Sequence, residues 1–478
     1  MTNGTTSSGA PRIAVVGAGV SGLAAAHRLR TRLGPGATIT VLEQRDRTGG
    51  VLHTVDLAGV PYDVGAEAYL ARRPEMAVLL AELSLSGEQV HPTAAKASLR
   101  ADGHSSALPA ATLLGVPTSA ARLDGLLSAA GLAAVAAEPG LPLGWERGGD
   151  VALGGLLRER FGDELADRLA DPLLGGVYSG RVDALGLRAT IPALAAALDD
   201  GAPSLTAAAD AATPAPPPAL RDAAPAPVFG ALSGGYRVLL DALVAAADAH
   251  LRLGTTVREL RPHDTGWRLT LGPTTAPEVL DVDAVVLAIP APAAARLLSE
   301  AAPSAAQAAA EIELASSVVV ALAYLGEDAA GLPPTSGALI ATGEPLSAKA
   351  FTHSTNKWSH LSPDGLVRLR ASLGRFGEAA TLQVDDAELV RRVRADLAAL
   401  TGITAEPVAV HVQRWGGGLP QYGVGHLDRV RAIEHGLPAG LAVAGSALHG
   451  VGVPACIGTG RAAAERLVEH LTAHPAPA

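Results

Sequence analysis

The turn after the first predicted strand constrains this chain more than any other feature. Arg12–Val16 (RIAVV) has the uninterrupted apolar pattern of a buried strand, and the turn GAGVSG follows it directly. The next residues, LAAAHRLRTRL, have helical spacing, and residues 38–43 (TITVLE) have a second strand pattern. A strand, a glycine-rich turn, a helix and a second strand predict a β-α-β unit, and hence an α/β fold built on a parallel sheet.

Each glycine of the turn has its own predicted role. Gly17 allows a tight turn after the strand, Gly19 lets the backbone approach a pyrophosphate, and Gly22 lets the helix pack on the strand. The start of the helix offers free N–H groups and the positive end of its dipole to the phosphates. Glu43, which ends the second strand, is expected to accept hydrogen bonds from ribose hydroxyls. The alternative is a tight turn that binds nothing. The predicted cofactor contacts are Gly17, Ala18, Gly19, Val20, Ser21, Gly22 and Glu43.

Two further segments favour FAD as the dinucleotide. In QRDRTGG, directly after Glu43, paired glycines let the backbone run beside an extended cofactor, and an arginine can neutralise a phosphate. The predicted contacts there are Gln44, Arg47, Gly49 and Gly50. Near the end of the chain, GLAVAGSALHGVGVPACIGTG predicts a strand, a glycine loop and a helix with Pro454 in its first turn. The start of that helix is expected under the flavin edge on which reduction places negative charge.

The sequence contains no second strand–GxGxxG–helix unit. A nicotinamide-dependent flavoreductase normally has one, so the pattern favours an oxidase or desaturase that passes electrons to oxygen or another acceptor.

Charge and cysteine content exclude several classes of function. The net charge is −10 and no basic run is present, which argues against nucleic-acid binding. Cys456 is the only cysteine, which excludes an intrachain disulfide and a thiolate metal cluster, and we predict no metal site. Residues 1–11 lack the pattern of a secretory signal, so we expect a cytoplasmic protein. The apolar stretch at 125–137 is too short to span a membrane; it could form a buried helix or a patch that contacts a membrane surface.

After the first β-α-β unit, the sequence predicts both helices and strands. Leu and Ala at helical spacing predict helices over 112–137 and 154–174, whereas 199–227, with PAPPPALRDAAPAP, predicts a flexible linker or long loop. A helix is predicted after Gly234-Gly235-Tyr236. Strands are predicted at 255–260, 267–271, 279–281, 284–289, 318–324, 366–373 and 440–444, and a final helix at 454–471.

At this point the sequence resembles a known family. VVGAGVSGLAAAHRL, VLEQRDRTGG, VVLAIP and AGSALHGVGVPACIGTGRAA are similar to the flavin amine oxidase superfamily. Within it, DVGAEAYLARRPEMAVLLAELSL, DPLLGGVYSGRVDALGLRATIPAL, FGALSGGYRVLLDAL, KAFTHSTNKWSH and RWGGGLPQYGVGHLDRV resemble the protoporphyrinogen and coproporphyrinogen III oxidases of haem synthesis. The resemblance covers residues 12–471, although the proline-rich 202–227 has no counterpart in it.

The resemblance implies three parts. These are a discontinuous Rossmann-like FAD-binding domain of the glutathione-reductase type (1–85, 232–299 and 425–478), a helical domain (86–231) with a proline-rich loop near 202–227, and a sheet-based substrate domain (300–424). It also implies non-covalent FAD, since no upstream cysteine could tether the flavin. Further FAD contacts that it implies are Gly65, Ala66, Val257, Trp415, Gly445, Gly452 and Val453.

The implied reaction removes hydrogens from a porphyrinogen in successive two-electron steps, with oxygen as acceptor and peroxide as product. Such a reaction depends on positioning, so no catalytic side chain is assigned. Arg72, Arg73, Gly176 and Lys357 are the expected substrate contacts, the cations through the propionates.

Coproporphyrinogen III is favoured as substrate over protoporphyrinogen IX, by analogy with the bacterial branch of the family. The sequence patterns leave three more distant functions open: a flavin amine oxidase, a carotenoid-type desaturase and a porphyrin carrier without turnover. A transient contact with the next enzyme of the haem pathway is also expected.

Overall fold

The computed structural model describes residues 10–213, 227–264 and 266–473. Most of the predicted N-terminal tail, and residues 214–226 of the predicted proline-rich loop, lie outside these ranges.

The strands follow the chain in this order: β1 (Arg12–Val16), β2 (Thr38–Leu42), β3 (Thr54–Leu57), β4 (Val60–Asp63), β5 (Tyr69–Leu70), β6 (Gln89–Val90), β7 (Ala97–Ala101), β8 (His104–Ala107), β9 (Thr112–Leu113), β10 (Val116–Pro117), β11 (Phe229–Leu232), β12 (His250–Arg252), β13 (Val257–His263), β14 (Gly266–Leu271), β15 (Glu278–Val282), β16 (Ala284–Leu287), β17 (Leu314–Tyr324), β18 (Gly337–Ile340), β19 (Ala348–Thr352), β20 (Val367–Leu373), β21 (Ala409–Pro420) and β22 (Leu441–Val443).

The α-helices are α1 (Val20–Leu33), α2 (Pro74–Glu82), α3 (Ala129–Ala137), α4 (Leu153–Phe161), α5 (Asp163–Leu165), α6 (Asp171–Tyr178), α7 (Leu187–Thr190), α8 (Pro192–Asp199), α9 (Leu205–Ala212), α10 (Tyr236–Ala247), α11 (Ala291–Leu298), α12 (Pro303–Ala310), α13 (Ser354–Lys357), α14 (Asp386–Thr401), α15 (His426–Gly436) and α16 (Val453–Ala473).

A five-stranded parallel sheet forms the first core. Its strand order is β12-β2-β1-β16-β22, and the central strand β1 pairs with β2 on one side and β16 on the other. Helices α1, α10 and α16 pack on one face of the sheet, and the β13–β15 ribbon packs with α11 and α12 on the other. This is the predicted Rossmann-like arrangement, and it brings the first β-α-β unit together with the C-terminal helix.

A seven-stranded sheet forms the second core. Its order is β21-β17-β20-β19-β18-β7-β8, with α14 on one face and the β3–β4 hairpin on the other. Strands β7 and β8 come from residues 97–107, inside the range for which the resemblance implies a helical domain. The α/β fold class is confirmed, while the division into three domains by residue range stays a prediction.

The helical part of the chain differs from the prediction in three places. The helix predicted over 154–174 is interrupted at Gly162, whose φ of 85° ends α4. The helix predicted over 112–137 is wrong for residues 112–128, which form two short strands and turns before α3. Gly115 and Gly125 adopt positive φ angles there and Pro117 removes a donor, so an unbroken helix cannot form.

The linker predicted over 199–227 is wrong for residues 205–212, which form α9. Buried Glu138 accepts hydrogen bonds from the amides of Leu205 (2.8 Å) and Thr206 (3.1 Å), and Ser204 Oγ accepts one from Ala207 N (3.1 Å). Side chains therefore satisfy the free N–H groups at the start of α9, which a short alanine-rich segment could not do alone.

Within the described part of the chain, no helix combines the length and apolarity that crossing a membrane requires.

Candidate functional site

The turn after β1 is held by close backbone contacts. Gly17 has a φ of 102° and its amide donates to Leu42 O (2.7 Å). A Cβ at Gly17 would overlap the carbonyl of Ala288, and one at Gly22 would overlap the carbonyl of Gly17. These two glycines are therefore required by the packing of the turn itself.

Gly19 lies in open space, unlike its two neighbours. It caps α1 with an extended backbone, and a Cβ there would meet no described atom within 4 Å. No side chain caps the helix, and its first turn closes with a bond from Leu23 N to Gly19 O (3.0 Å). The amides of Val20 and Ser21 thus lie at the start of a helix next to an open space, which fits a bound pyrophosphate.

Glu43 ties the second strand to this turn. Its carboxylate is buried, and it accepts hydrogen bonds from Ala18 N and Arg45 N, both at 2.9 Å. The protein uses one lone pair on each oxygen, so the predicted ribose contact would use the others. Gln44 beside it is exposed.

The second glycine pair lies directly against the first turn. Gly49 pairs with Gly19 in a parallel bridge and donates to Ala18 O (2.8 Å). Gly50 packs on the Cα of Gly19. The two predicted glycine segments therefore form one backbone surface.

Arg47 is engaged with its own loop. Its guanidinium donates to the carbonyls of Thr48 (3.0 Å), Gly50 (2.9 Å) and Leu52 (3.1 Å), and it lies 5.9 Å above the ring of Trp415. Burial lowers the pKa of Arg47, although the group remains a cation. Arg47 thus shapes the loop, and its predicted phosphate contact stays a prediction.

Trp415 connects this loop to the second sheet. It is buried, and its Nε1 donates to Val64 O (3.0 Å). A Cβ at Gly65 would lie 3.4 Å from the Trp415 ring and would overlap the carbonyl of Val51. Ala66 packs against the core beneath α1. Gly65, Ala66 and Trp415 therefore lie near the two glycine segments, and their predicted FAD contacts stay predictions.

The C-terminal motif approaches the same place from α16. A Cβ at Gly460 would overlap the carbonyl of Ser21, so α1 and α16 pack backbone to backbone. Gly445 donates to Thr459 Oγ1 (3.0 Å), and Gly452 O accepts the first helical bond, from Cys456 N (3.0 Å). Val453 belongs to the core that contains α1. Val257 starts β13 and packs in the core on the opposite face of the sheet.

The residues predicted to contact the substrate differ in their exposure and in their partners. Arg72 is exposed and has no hydrogen-bond or ion-pair partner in the described chain, whereas Arg73 pairs with Glu75 (2.6 Å). Gly176 is exposed on α6, and a Cβ there would lie 3.7 Å from Leu339. The structure does not bring these residues into direct contact with one another.

Lys357 is paired within the protein. Its Nζ lies 2.6 Å from Oε1 of Glu67, and Arg370 lies 3.4 Å from the other oxygen. Burial opposes ionisation of Glu67, but the charges of Arg370 and Lys357 outweigh it and lower the pKa of Glu67 to about 2. Arg370 also donates to Gly65 O (2.7 Å).

Sequence reasoning missed Glu67 as well as two buried cations, Lys349 and Arg375. Glu67 follows Gly65-Ala66 directly, so an acid inside a predicted cofactor segment was the available signal. Lys349 is a lone charge in the otherwise uncharged strand β19, which is an equally local signal.

The sequence matches a known protein family. The family model for flavin containing amine oxidoreductase matches residues 20–468. A coproporphyrinogen III oxidase of Mycobacterium tuberculosis is 45% identical over 465 residues, which cover 97% of this chain and 98% of that protein.

Solved structures agree with these sequence matches. The crystal structure of a candidate protoporphyrinogen oxidase from Exiguobacterium sp. 255-15 has a TM-score of 0.81 at 29% identity, over 96% of this chain and 99% of that one. Cyclohexylamine oxidase from Brevibacterium oxydans has a TM-score of 0.71 at 17% identity, over 97% and 100% of the two chains, and at that identity the likeness shows the fold alone.

Proposed function

The chain belongs to the flavin-containing amine oxidoreductase family, and we propose that it oxidises coproporphyrinogen III to coproporphyrin III with molecular oxygen as acceptor. The family resemblance found from the motifs is thereby confirmed. The observation that carries the proposed substrate is the 45% identity to a coproporphyrinogen III oxidase, which extends over nearly all of both chains.

The cofactor is FAD, and the residues of the site fit it. Gly19 leaves open space before the start of α1, and the Gly49–Gly50 backbone lies against that turn. When bound, FAD supplies the two-electron acceptor for each dehydrogenation step. The contribution of the protein is to hold the dinucleotide through backbone amides and to position the substrate.

The local geometry supports a positioning enzyme. Trp415 is fixed by its bond to Val64 O, and Val51 beside it is 44% exposed, which leaves an apolar surface next to the glycine segments. Arg72 offers a cation that no described residue neutralises. A free guanidinium suits a substrate that carries carboxylates.

Oxidation of protoporphyrinogen IX is the second candidate, and the match to the Exiguobacterium structure favours it. The test is a side-by-side aerobic assay of the holoenzyme with both porphyrinogens, followed by porphyrin fluorescence. A higher kcat/KM for coproporphyrinogen III is expected. A higher value for protoporphyrinogen IX would reverse the choice, and turnover of neither would leave an amine oxidase or a porphyrin carrier.

The same assay tests the electron acceptor. Removal of oxygen should stop multiple turnover, and peroxide should form with the porphyrin when oxygen is present. Cytoplasmic location, weak contact with a membrane surface and contact with the next enzyme of the pathway stay predictions.

A further inference from the structure

Two cations are buried where α6 meets the seven-stranded sheet. Lys349 lies at a β-bulge in β19, between the pairs Ala348–Leu373 and Ala350–Ser372, and Arg375 follows the end of β20. Only 7% of Lys349 and 8% of Arg375 is exposed. Buried charges are rare unless they are paired, so their partners decide what they can do.

The protein satisfies Lys349 only in part. Its ammonium group donates to Ser179 Oγ and to Gly374 O (2.6 Å), which leaves the third N–H unused. No carboxylate in the described ranges forms an ion pair with it. Burial, and then the charge of Arg375, lower the pKa of Lys349 to about 7, and the opposite charge of Glu378 does not offset them.

Arg375 is also incompletely paired. Its Nη2 donates to Ile340 O (3.3 Å), while Nη1 lies 3.5 Å from Asp171 Oδ2 without a hydrogen bond and is buried without any other acceptor among the residues described. Asp171 is itself engaged with Val182 N and Thr342 Oγ1. Glu378 is a second carboxylate nearby, which accepts from Arg375 N (3.1 Å) and from Arg181 Nη2 (2.8 Å). The cluster therefore holds three cations, Lys349, Arg375 and Arg181, against two carboxylates, Asp171 and Glu378, so positive charge is in excess.

Glycines keep this cluster close to the end of α6. A Cβ at Gly175 would lie 2.6 Å from Arg375 Nη1, so a larger residue would displace the guanidinium. In the same helical turn, Gly176 is exposed and Val177 is 43% exposed. The open face of this turn is therefore adjacent to the two cations.

We propose that Lys349 and Arg375 form a carboxylate-binding subsite that receives one propionate of the porphyrinogen at the end of α6. The inference rests on the proposed function, because that function supplies a substrate with several carboxylates. A carboxylate placed here would accept a hydrogen bond from each cation and would neutralise the excess charge. It would also give a role to a buried lysine at a position where an apolar residue would pack at lower cost.

The test measures binding of the product, coproporphyrin III, and of its tetramethyl ester to the holoenzyme. Lys349→Met should weaken binding of the acid by about tenfold, the loss expected for one charge-assisted hydrogen bond, and should leave binding of the ester unchanged. Lys349→Arg, which keeps the cation, should retain most of the affinity. Lys96→Met, at an exposed lysine, is the matched control and should bind both ligands like the wild type.

Each outcome decides the inference. Unchanged affinity of Lys349→Met for the acid, or an equal loss for acid and ester, would overturn it, because the effect would not depend on the carboxylate. The flavin content of Lys349→Met should equal that of the wild type, because Lys349 is not among the predicted FAD contacts, and its melting temperature shows whether the variant is folded. If Lys349→Met does not fold, Lys349→Gln is measured instead. Loss of coproporphyrin III binding with unchanged binding of the ester would then support the subsite, and any other result would overturn it. Failure of the wild type to oxidise coproporphyrinogen III is a separate result, which would count against the proposed function.

Discussion

Lys357 Nζ lies 2.6 Å from Oε1 of Glu67, and this partly buried ion pair joins two segments that are 290 residues apart in the sequence. The family resemblance implies a substrate contact for Lys357, and the pairing predicts a structural role instead. Lys357→Met should destabilise the protein by about 3 kcal/mol or less, because Glu67 would remain buried with Arg370 as its only cation. Urea unfolding of the variant measures this, with Lys96→Met as control. An unchanged stability combined with a raised KM would restore the substrate role.

The ion pair of Glu67 also predicts that the free energy of unfolding decreases in acid. A carboxyl group whose pKa falls from 4.5 to about 2 on folding stabilises the protein above the unfolded value, and the contribution is lost as the pH falls toward 2. Glu67→Gln should therefore lose less stability than the wild type over this acid range. Equal acid losses in both proteins would show that Glu67 does not titrate as described.

Gly19→Val should fold but contain little or no FAD. A Cβ at Gly19 meets no described atom of the protein within 4 Å, so the fold tolerates it, while the branched side chain would fill the space that the pyrophosphate requires. Gly36→Val is the matched control, since a Cβ at Gly36 also meets no described atom, and it should retain its flavin. Flavin absorbance per protein measures the difference. A normal flavin content in Gly19→Val would contradict the assignment of this turn to the cofactor.

FAD should be released when the protein is precipitated with acid. Cys456, the only cysteine, is buried, and burial raises the pKa of its thiol to about 11, so it is a poor nucleophile at neutral pH. Flavin should appear in the supernatant, and Cys456→Ala should contain as much flavin as the wild type. Colour that stays with the precipitated protein would refute non-covalent binding.

The sequence predicted the elements whose patterns are local. The β-α-β unit, four of the five strands of the parallel sheet and the C-terminal helix agree with it within a few residues, because burial of one face of a sheet or helix imposes a regular spacing of apolar residues. The fifth strand, β12, was not predicted, since His250 and Leu251 continue the apolar pattern of α10. The positions of Gly17, Gly22 and Glu43 could also be predicted from the sequence, because their contacts lie within one supersecondary unit.

Contacts between segments that are distant in the chain could not be predicted from the sequence. Strand β7 pairs with β18, more than 200 residues later, and α9 begins on the side chain of Glu138. The lone charge of Lys349 in β19 is visible in the sequence, but its partner Ser179, at the end of α6, is 170 residues away. Tertiary context outweighs local propensity in each case.

Asp63 should make a contribution to the stability of the protein that falls as the pH rises toward 7. Asp63 ends β4, where its carboxyl group accepts from Thr54 Oγ1 (2.5 Å) and from Tyr236 N (3.2 Å) at the start of α10. Burial outweighs these bonds and raises the pKa of Asp63 from 3.8 to about 7. Between these values the folded protein binds more protons than the unfolded chain, so the free energy of unfolding decreases as the pH rises through the window.

Asp63→Asn isolates this contribution, because the amide keeps an oxygen acceptor for Tyr236 N but does not titrate. Urea unfolding of both proteins at a series of pH values should show a smaller decrease for the variant between pH 3.8 and about 7. The difference between the two curves cancels the titration of the other groups as long as they do not interact with Asp63. Parallel curves would mean that the Asp63 carboxyl group is already ionised at the lower end of this window, and that its bonds to Thr54 and Tyr236 outweigh its burial.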